Sequence, residues 1–127
     1  IAVIKAMVKQ LNIDIEIVEC AIVRGEDGLA LSSRNELLTP EHRKAAPHIY
    51  ATISQCAEKM ASMSPQELTE WVIKTIDSNP LLKTSYFESV DATTMQKVES
   101  WDESERIQGC CAIQAGNIRL IDNIRIK

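Results

Sequence analysis

The sequence predicts an α+β fold: two helices and a three-stranded antiparallel sheet, preceded by a helix and a strand that look like the end of a separate α/β unit. Three observations carry this. Two segments open with the same helix-start chemistry, Thr39-Pro40 and Ser64-Pro65. From residue 85 the apolar residues change to a period of 2 in three short runs. The first seventeen residues make the same change in miniature, from helical spacing to alternating isoleucines.

In "IAVIKAMVKQLN", Ile1, Ile4, Met7, Val8 and Leu11 recur at helical spacing. The chain starts without Met and without a capping residue, which suggests that it was cut from something longer. "IDIEIVE" sets Ile13, Ile15 and Ile17 against Asp14 and Glu16, the alternation of a strand. "RGEDG", residues 24 to 28, is turn chemistry. In the following "LALSSRN", Ser33 reads as an N-cap, with Glu36 three residues later completing a capping box.

The first long helix starts at Thr39-Pro40, and Pro47 should kink or restart it. The second has Ser64 as cap, Pro65 at its first position and Glu67 closing a capping box. Leu68, Trp71, Val72 and Ile76 form its apolar stripe, and Asn79-Pro80 ends it. "SYFESVDA", "QGCCAIQA" and "NIRLIDNIRI" are the three strands, the last two joined at Ala115-Gly116-Asn117 by a turn that needs a positive φ. Between the first two, "TTMQKVESWDESERI" reads as a short helix followed by a loop. Pattern places the domain boundary near residue 30, dividing the chain into 1–30 and 31–127.

Composition narrows the function. The 127 residues hold 14 Lys and Arg against 18 Asp and Glu, a net charge of −4 with no basic run, which argues against nucleic acid as a partner. Apolar runs are only a few residues long, far below the roughly 20 that cross a bilayer, so a membrane role is not expected and a cytoplasmic location is. Cys20, Cys56, Cys110 and Cys111 lack CxxC spacing and read as reduced, buried, small apolar residues. His42 and His48 are six residues apart, about 240° around a helix, so they form no metal pair.

"LSSRN" has two readings. Ser33 can simply cap a helical turn. Alternatively, two hydroxyls and a bidentate guanidinium on a loop between domains grip a polyphosphate, each charge-assisted bond worth roughly 1.5 to 3 kcal/mol. One Arg cannot neutralise a triphosphate, and neither GxxxxGK[ST] nor GxGxxG is present to help. On this reading the loop is half of a site.

The run "IDIEIVECAIVRGEDGLALSSRNELLTPEHRKAA", with "IRLIDN" near the C-terminus, resembles the pantoate-β-alanine ligase family. The resemblance covers essentially the whole chain in order, around an R-x-x-D-G-L-A-x-S-S-R-N core. It implies a Rossmann-like N-terminal domain, of which residues 1–30 would be the tail, and a smaller C-terminal lid, residues 31–127. It also implies an enzyme joining (R)-pantoate to β-alanine through a pantoyl-adenylate, with ATP converted to AMP and pyrophosphate.

Ser32, Ser33 and Arg34 match the family's contacts to the ATP phosphates, in a loop similar to the KMSKS loop of class I aminoacyl-tRNA synthetases. Val23 matches a position whose backbone lies against the adenine. Leu31 stands where the family often has Met, its N–H available in the same way. Asn35, Asp27 and Gly28 take structural roles. Mg²⁺ would be held mainly by the N-terminal domain. The family's histidine motif, pantoate-binding glutamines and Lys-Asp pair are expected upstream of the first helix, so this chain alone should be inactive and contributes no catalytic residue. His42 and His48 are not replacements and read as solvated or capping. The resemblance also implies a homodimer for the whole enzyme. The alternative is a non-catalytic binding module that reuses the lid fold.

Overall fold

Residues 1–127 are all described by the computed structural model. The period-2 segments form one antiparallel sheet of β1 (Leu82–Asp91), β2 (Ile107–Ala115) and β3 (Ile118–Arg125), in that order. Ala115 pairs with Ile118, leaving a two-residue turn in which Gly116 has φ +60°, as a glycine-first hairpin turn requires. Cys111 and Cys110 fall on opposite faces, as their adjacency predicts.

The expected first helix is broken into α2 (Pro40–Ala45), α3 (Pro47–Ile53) and α4 (Cys56–Lys59), and the second is α5 (Pro65–Asp77). Pro47 causes the first break, because it cannot donate to the preceding turn and opens a new helix instead. Thr39 caps α2, accepting from the His42 N–H at 3.3 Å. In α5, Ser64 and Glu67 form the reciprocal capping box, at 3.2 and 2.8 Å. The helices and the inner sheet face share one core, in which Ile49, Ile53, Leu68, Val72 and Ile76 meet Phe87, Cys111, Ile113 and Leu120. Burying each large aliphatic side chain contributes roughly 1.5 to 3 kcal/mol.

The N-terminal region departs from expectation. Helix α1 (Ala2–Gln10) forms, but only Val8 is buried. Residues 13–17 are not a strand: a strand needs a hydrogen-bonded neighbour, and no segment of this chain pairs with them. Glu19 links the region together, with Lys5 at 2.8 Å and Arg106 of the α+β unit at 3.8 Å.

Three further corrections concern local signals. Ser32, not Ser33, caps the turn in the loop, and that turn is a 3₁₀ helix over Ser33–Leu37. In residues 93–107, the expected short helix is replaced by a turn and a 3₁₀ helix at Trp101–Glu103. Asp91 is the cause: its Oδ1 accepts from the Thr93 and Thr94 N–H groups at 2.9 and 2.6 Å, closing a turn that carries Met95 to φ +60°. The Ser104 hydroxyl, with those two N–H groups, holds the Asp91 carboxyl well below the usual carboxylate range. Finally, His48 is neither solvated nor capping, since its Nε2 lies 2.9 Å from the Thr75 carbonyl and joins α3 to α5.

The cysteines separate by environment. Cys56 and Cys111 are buried, and loss of solvation pushes both thiols up from the ordinary 9.0 to about 12. Cys110 is shifted upward in the same way, whereas Cys20 is exposed, contrary to expectation. Iodoacetamide at pH 8 should therefore alkylate Cys20 first and leave Cys56 and Cys111 untouched until urea is added, which peptide mass spectrometry would read. Above pH 9 the unfolded thiols ionise while the folded ones stay protonated, so stability should fall as pH rises toward 12. Early labelling of Cys56 would contradict the burial.

Candidate functional site

Building the loop starts at its base. Arg24 makes a bidentate pair with Asp122 of β3, Nη1 to Oδ2 at 2.6 Å and Nη2 to Oδ1 at 2.9 Å. The side chains are 16% and 5% exposed, so water screens the pair little. The same guanidinium donates to the carbonyls of Gly28, at 3.1 Å, and Asn123, at 3.3 Å, and lies 3.9 Å from the centroid of the Tyr50 ring on α3.

Around this cation the "RGEDG" segment folds into a turn. Gly25 N–H donates to Leu29, Gly28 N–H to Gly25, and Leu29 N–H to the Asp27 side chain. Arg43 of α2 holds Asp27 from outside at 2.6 Å. Gly28 is required twice over, because its φ is +82° and a Cβ there would lie 2.2 Å from Cδ1 of Tyr50. Leu29 then enters the core shared by the helices and the sheet.

Beyond the turn, the chain leaves the core at Ala30 and returns at Asn35, whose Nδ2 donates to the Ala30 carbonyl at 2.9 Å. That bond gives Asn35 the structural role expected of it. It closes the base of an exposed excursion, Leu31-Ser32-Ser33-Arg34. Ser32 Oγ accepts from the Arg34 N–H at 3.2 Å and fixes the backbone there. The Ser33 hydroxyl and the Arg34 guanidinium have no partner within the chain.

Val23 and Leu31 come together beside this loop, but not as expected. The Leu31 N–H donates to the Val23 carbonyl at 3.0 Å, so it is not available to a ligand. The Val23 N–H and the Leu31 carbonyl are the pair left without a partner, and both side chains are exposed, 69% and 62%.

A cleft of ≈190 Å³ runs between the loop and β3, walled by Leu31, Ser32, Arg34 and Asn35 on one side and by Arg119, Ile121 and Asp122 on the other. Sequence reasoning missed Arg24, Arg119 and Asp122. "IRLIDN" held two of them in plain view, but only the fold brings residues 98 apart into contact. No group of three His, Cys, Asp or Glu converges anywhere in the chain, and Asp27 and Asp122 are each paired with an arginine.

An α+β domain that presents hydroxyls and a free guanidinium on one braced loop can offer hydrogen-bond donors to an anion. The family described as pantoate-beta-alanine ligase matches residues 1–125. Pantothenate synthetase of Porphyromonas gingivalis strain W83 is 42% identical over 127 residues, the whole of this chain and 45% of that protein. The Bacteroides fragilis YCH46 enzyme of the same name is 43% identical over the same span and share. Among solved structures, pantothenate synthetase from Thermus thermophilus matches with a TM-score of 0.88 at 32% identity, over 98% of this chain and 45% of that one. Pantoate-beta-alanine ligase from Francisella tularensis, complexed with beta-gamma ATP and beta-alanine, matches at 0.61 and 31%, over 97% and 38%. The chain belongs to the pantoate-β-alanine ligase family, and it spans about half the length of the curated relatives it matches.

The clamp at the base of the loop gives a direct test. Asp122→Ala would leave Arg24 buried without its anion and should cost about 3 kcal/mol, measured by urea unfolding. Gly28→Ala should destabilise as well, through strain and the clash with Tyr50. Wild-type stability in both variants would mean that the loop is not braced this way.

Proposed function

We propose that this chain is the ATP-lid portion of a pantoate-β-alanine ligase, which condenses (R)-pantoate with β-alanine in pantothenate biosynthesis. The observation that carries this reading is the braced, exposed Ser32-Ser33-Arg34 loop in a member of that family. In the reaction, a pantoate carboxylate oxygen attacks the α-phosphorus of ATP, and the bond to the bridging oxygen breaks. Pyrophosphate leaves with the electron pair. The β-alanine amine then attacks the acyl carbon of the pantoyl-adenylate, loses a proton and expels AMP.

The roles proposed for this chain's residues follow from their chemistry. The hydroxyls of Ser32 and Ser33 and the guanidinium of Arg34 donate to the polyphosphate oxygens, where charge-assisted hydrogen bonds are strongest. As negative charge gathers on the leaving pyrophosphate, donors already fixed in place lower the barrier without reorganising. The Val23 N–H and Leu31 carbonyl supply one donor and one acceptor, the complement of the acceptor and donor on the adenine edge. That assignment replaces the expected Leu31 N–H contact.

The bonds from Arg24 to Gly28, Asp122 and Tyr50 support placing the moving boundary ahead of Arg24 rather than near residue 30, so that the loop travels with the lid. A lid closing over ATP would exclude water and protect the acyl-adenylate from hydrolysis. Mg²⁺ and the pantoate and β-alanine contacts are proposed for the portion of the family fold outside these residues, together with the dimer interface, so the present residues alone should not turn over. No helix here is long and apolar enough to cross a membrane, and a cytoplasmic enzyme is the proposal. The relatives above are named pantothenate synthetase or pantoate-beta-alanine ligase, and nothing in the comparisons supports the non-catalytic module.

The test is AMP release that depends on both pantoate and β-alanine, with the protein expressed from its native gene. Arg34→Ala should slow adenylate formation at least about tenfold, the loss of one charge-assisted contact. Unchanged turnover would remove Arg34 from the site.

A further inference from the structure

The chain contains six arginines, and their partners sort them. Arg24 is bonded to Asp122, Arg43 to Asp27, Arg106 reaches Glu19 at 3.8 Å, and Arg125 donates from Nε to the Lys127 carbonyl at 3.2 Å. The guanidinium groups of Arg34 and Arg119 have neither a carboxylate nor a carbonyl partner, and these two residues line the same cleft from opposite walls. Arg34 comes from the loop. Arg119 comes from β3, the second residue past the hairpin turn, with its Cζ 6.0 Å from the centroid of the Tyr86 ring, at the outer limit of a cation-π contact.

Arg119 has no evident structural employment. Its cross-strand neighbour Gln114 turns its amide to the Gly116 carbonyl at 3.0 Å, and Asp122, the carboxylate in the cleft, is fully engaged by Arg24. Two unpaired cations on residues that line one cleft favour an anion bound there. The single guanidinium of the loop is too little charge for a triphosphate, and a second arginine lines the same cleft.

We propose that Arg119 is a second polyphosphate-binding residue, closing from the lid sheet on the phosphates that Ser32, Ser33 and Arg34 hold from the loop. This rests on the reading of that loop as the ATP-phosphate site. The phosphates concerned depart as pyrophosphate, so Arg119 acts in the first half-reaction and in the binding of pyrophosphate. It has no part in the attack of β-alanine on the finished adenylate.

The experiment uses the complete enzyme from its native gene, with Arg119→Gln, Arg119→Lys, Arg34→Ala and, as a control on the same strand, Arg125→Gln. Three readouts are needed: adenylate formation as a function of ATP, inhibition by inorganic pyrophosphate, and pantothenate formation from supplied pantoyl-adenylate. Arg119→Gln should lower kcat/KM for ATP about tenfold and weaken pyrophosphate inhibition by a similar factor. It should leave the second half-reaction and the melting temperature unchanged. Arg119→Lys should recover part of the loss, and Arg125→Gln should behave as wild type. Normal ATP and pyrophosphate behaviour in Arg119→Gln, with Arg34→Ala impaired, would overturn the role of Arg119 and leave the loop reading standing. Normal behaviour in both variants would overturn both.

Discussion

Everything near the exposed loop depends on the buried pair between Arg24 and Asp122. One guanidinium holds a carboxylate on the last strand, a carbonyl in the turn and the face of an aromatic ring on α3, so three elements far apart in sequence are fixed to a single planar group. Arginine suits this position because its donors form a rigid fork and its face stacks on Tyr50, whereas a lysine would offer a point charge and no plane. Gly28 is the steric counterpart. It lets the turn pass against the ring that Arg24 stacks on, at a backbone angle other residues rarely adopt. The pair matters less for its net Coulomb energy than for its geometry, since desolvating two charges offsets much of their attraction.

Local signals in the sequence were legible where the physics was local. The α5 capping box, the Thr39 cap, the restart at Pro47 and the glycine hairpin turn all depend on residues within a few positions, and each forms as the sequence reads. The isoleucine alternation at residues 13–17 failed for the opposite reason. Period 2 states which face a strand would bury, but the strand itself exists only when another segment supplies hydrogen bonds, and none here does. In residues 93–107 the helical reading lost to Asp91, which binds the N–H groups of Thr93 and Thr94 directly. Such competition is visible in sequence only when the turn register is already known.

The site was half legible. Ser32, Ser33 and Arg34 stand together in the chain, and their chemistry suggests an anion without any fold. Arg119 and Asp122 belong to a strand whose register had to be known before either could be placed beside the loop. Pairing Ala115 with Ile118 across the turn sets that register, and a shift of one residue would send both side chains to the opposite faces. The position of Gly116 therefore bears on the cleft as well as on the hairpin.

Charge at the cleft cannot be inferred from the chain as a whole. The net charge is −4, which argues against polyanionic partners in general, yet the cleft is positive. Asp122 explains how both hold. Its carboxylate lines the cleft and, unpaired, would repel a phosphate there, but Arg24 bonds to both of its oxygens. The other charged residues lining the cleft are Arg34 and Arg119. The clamp that braces the loop thus also neutralises the one carboxylate that lines the cleft. Replacing Arg24 by a neutral residue of similar size would harm the site electrostatically even if the loop kept its shape, because the cleft would regain a carboxylate.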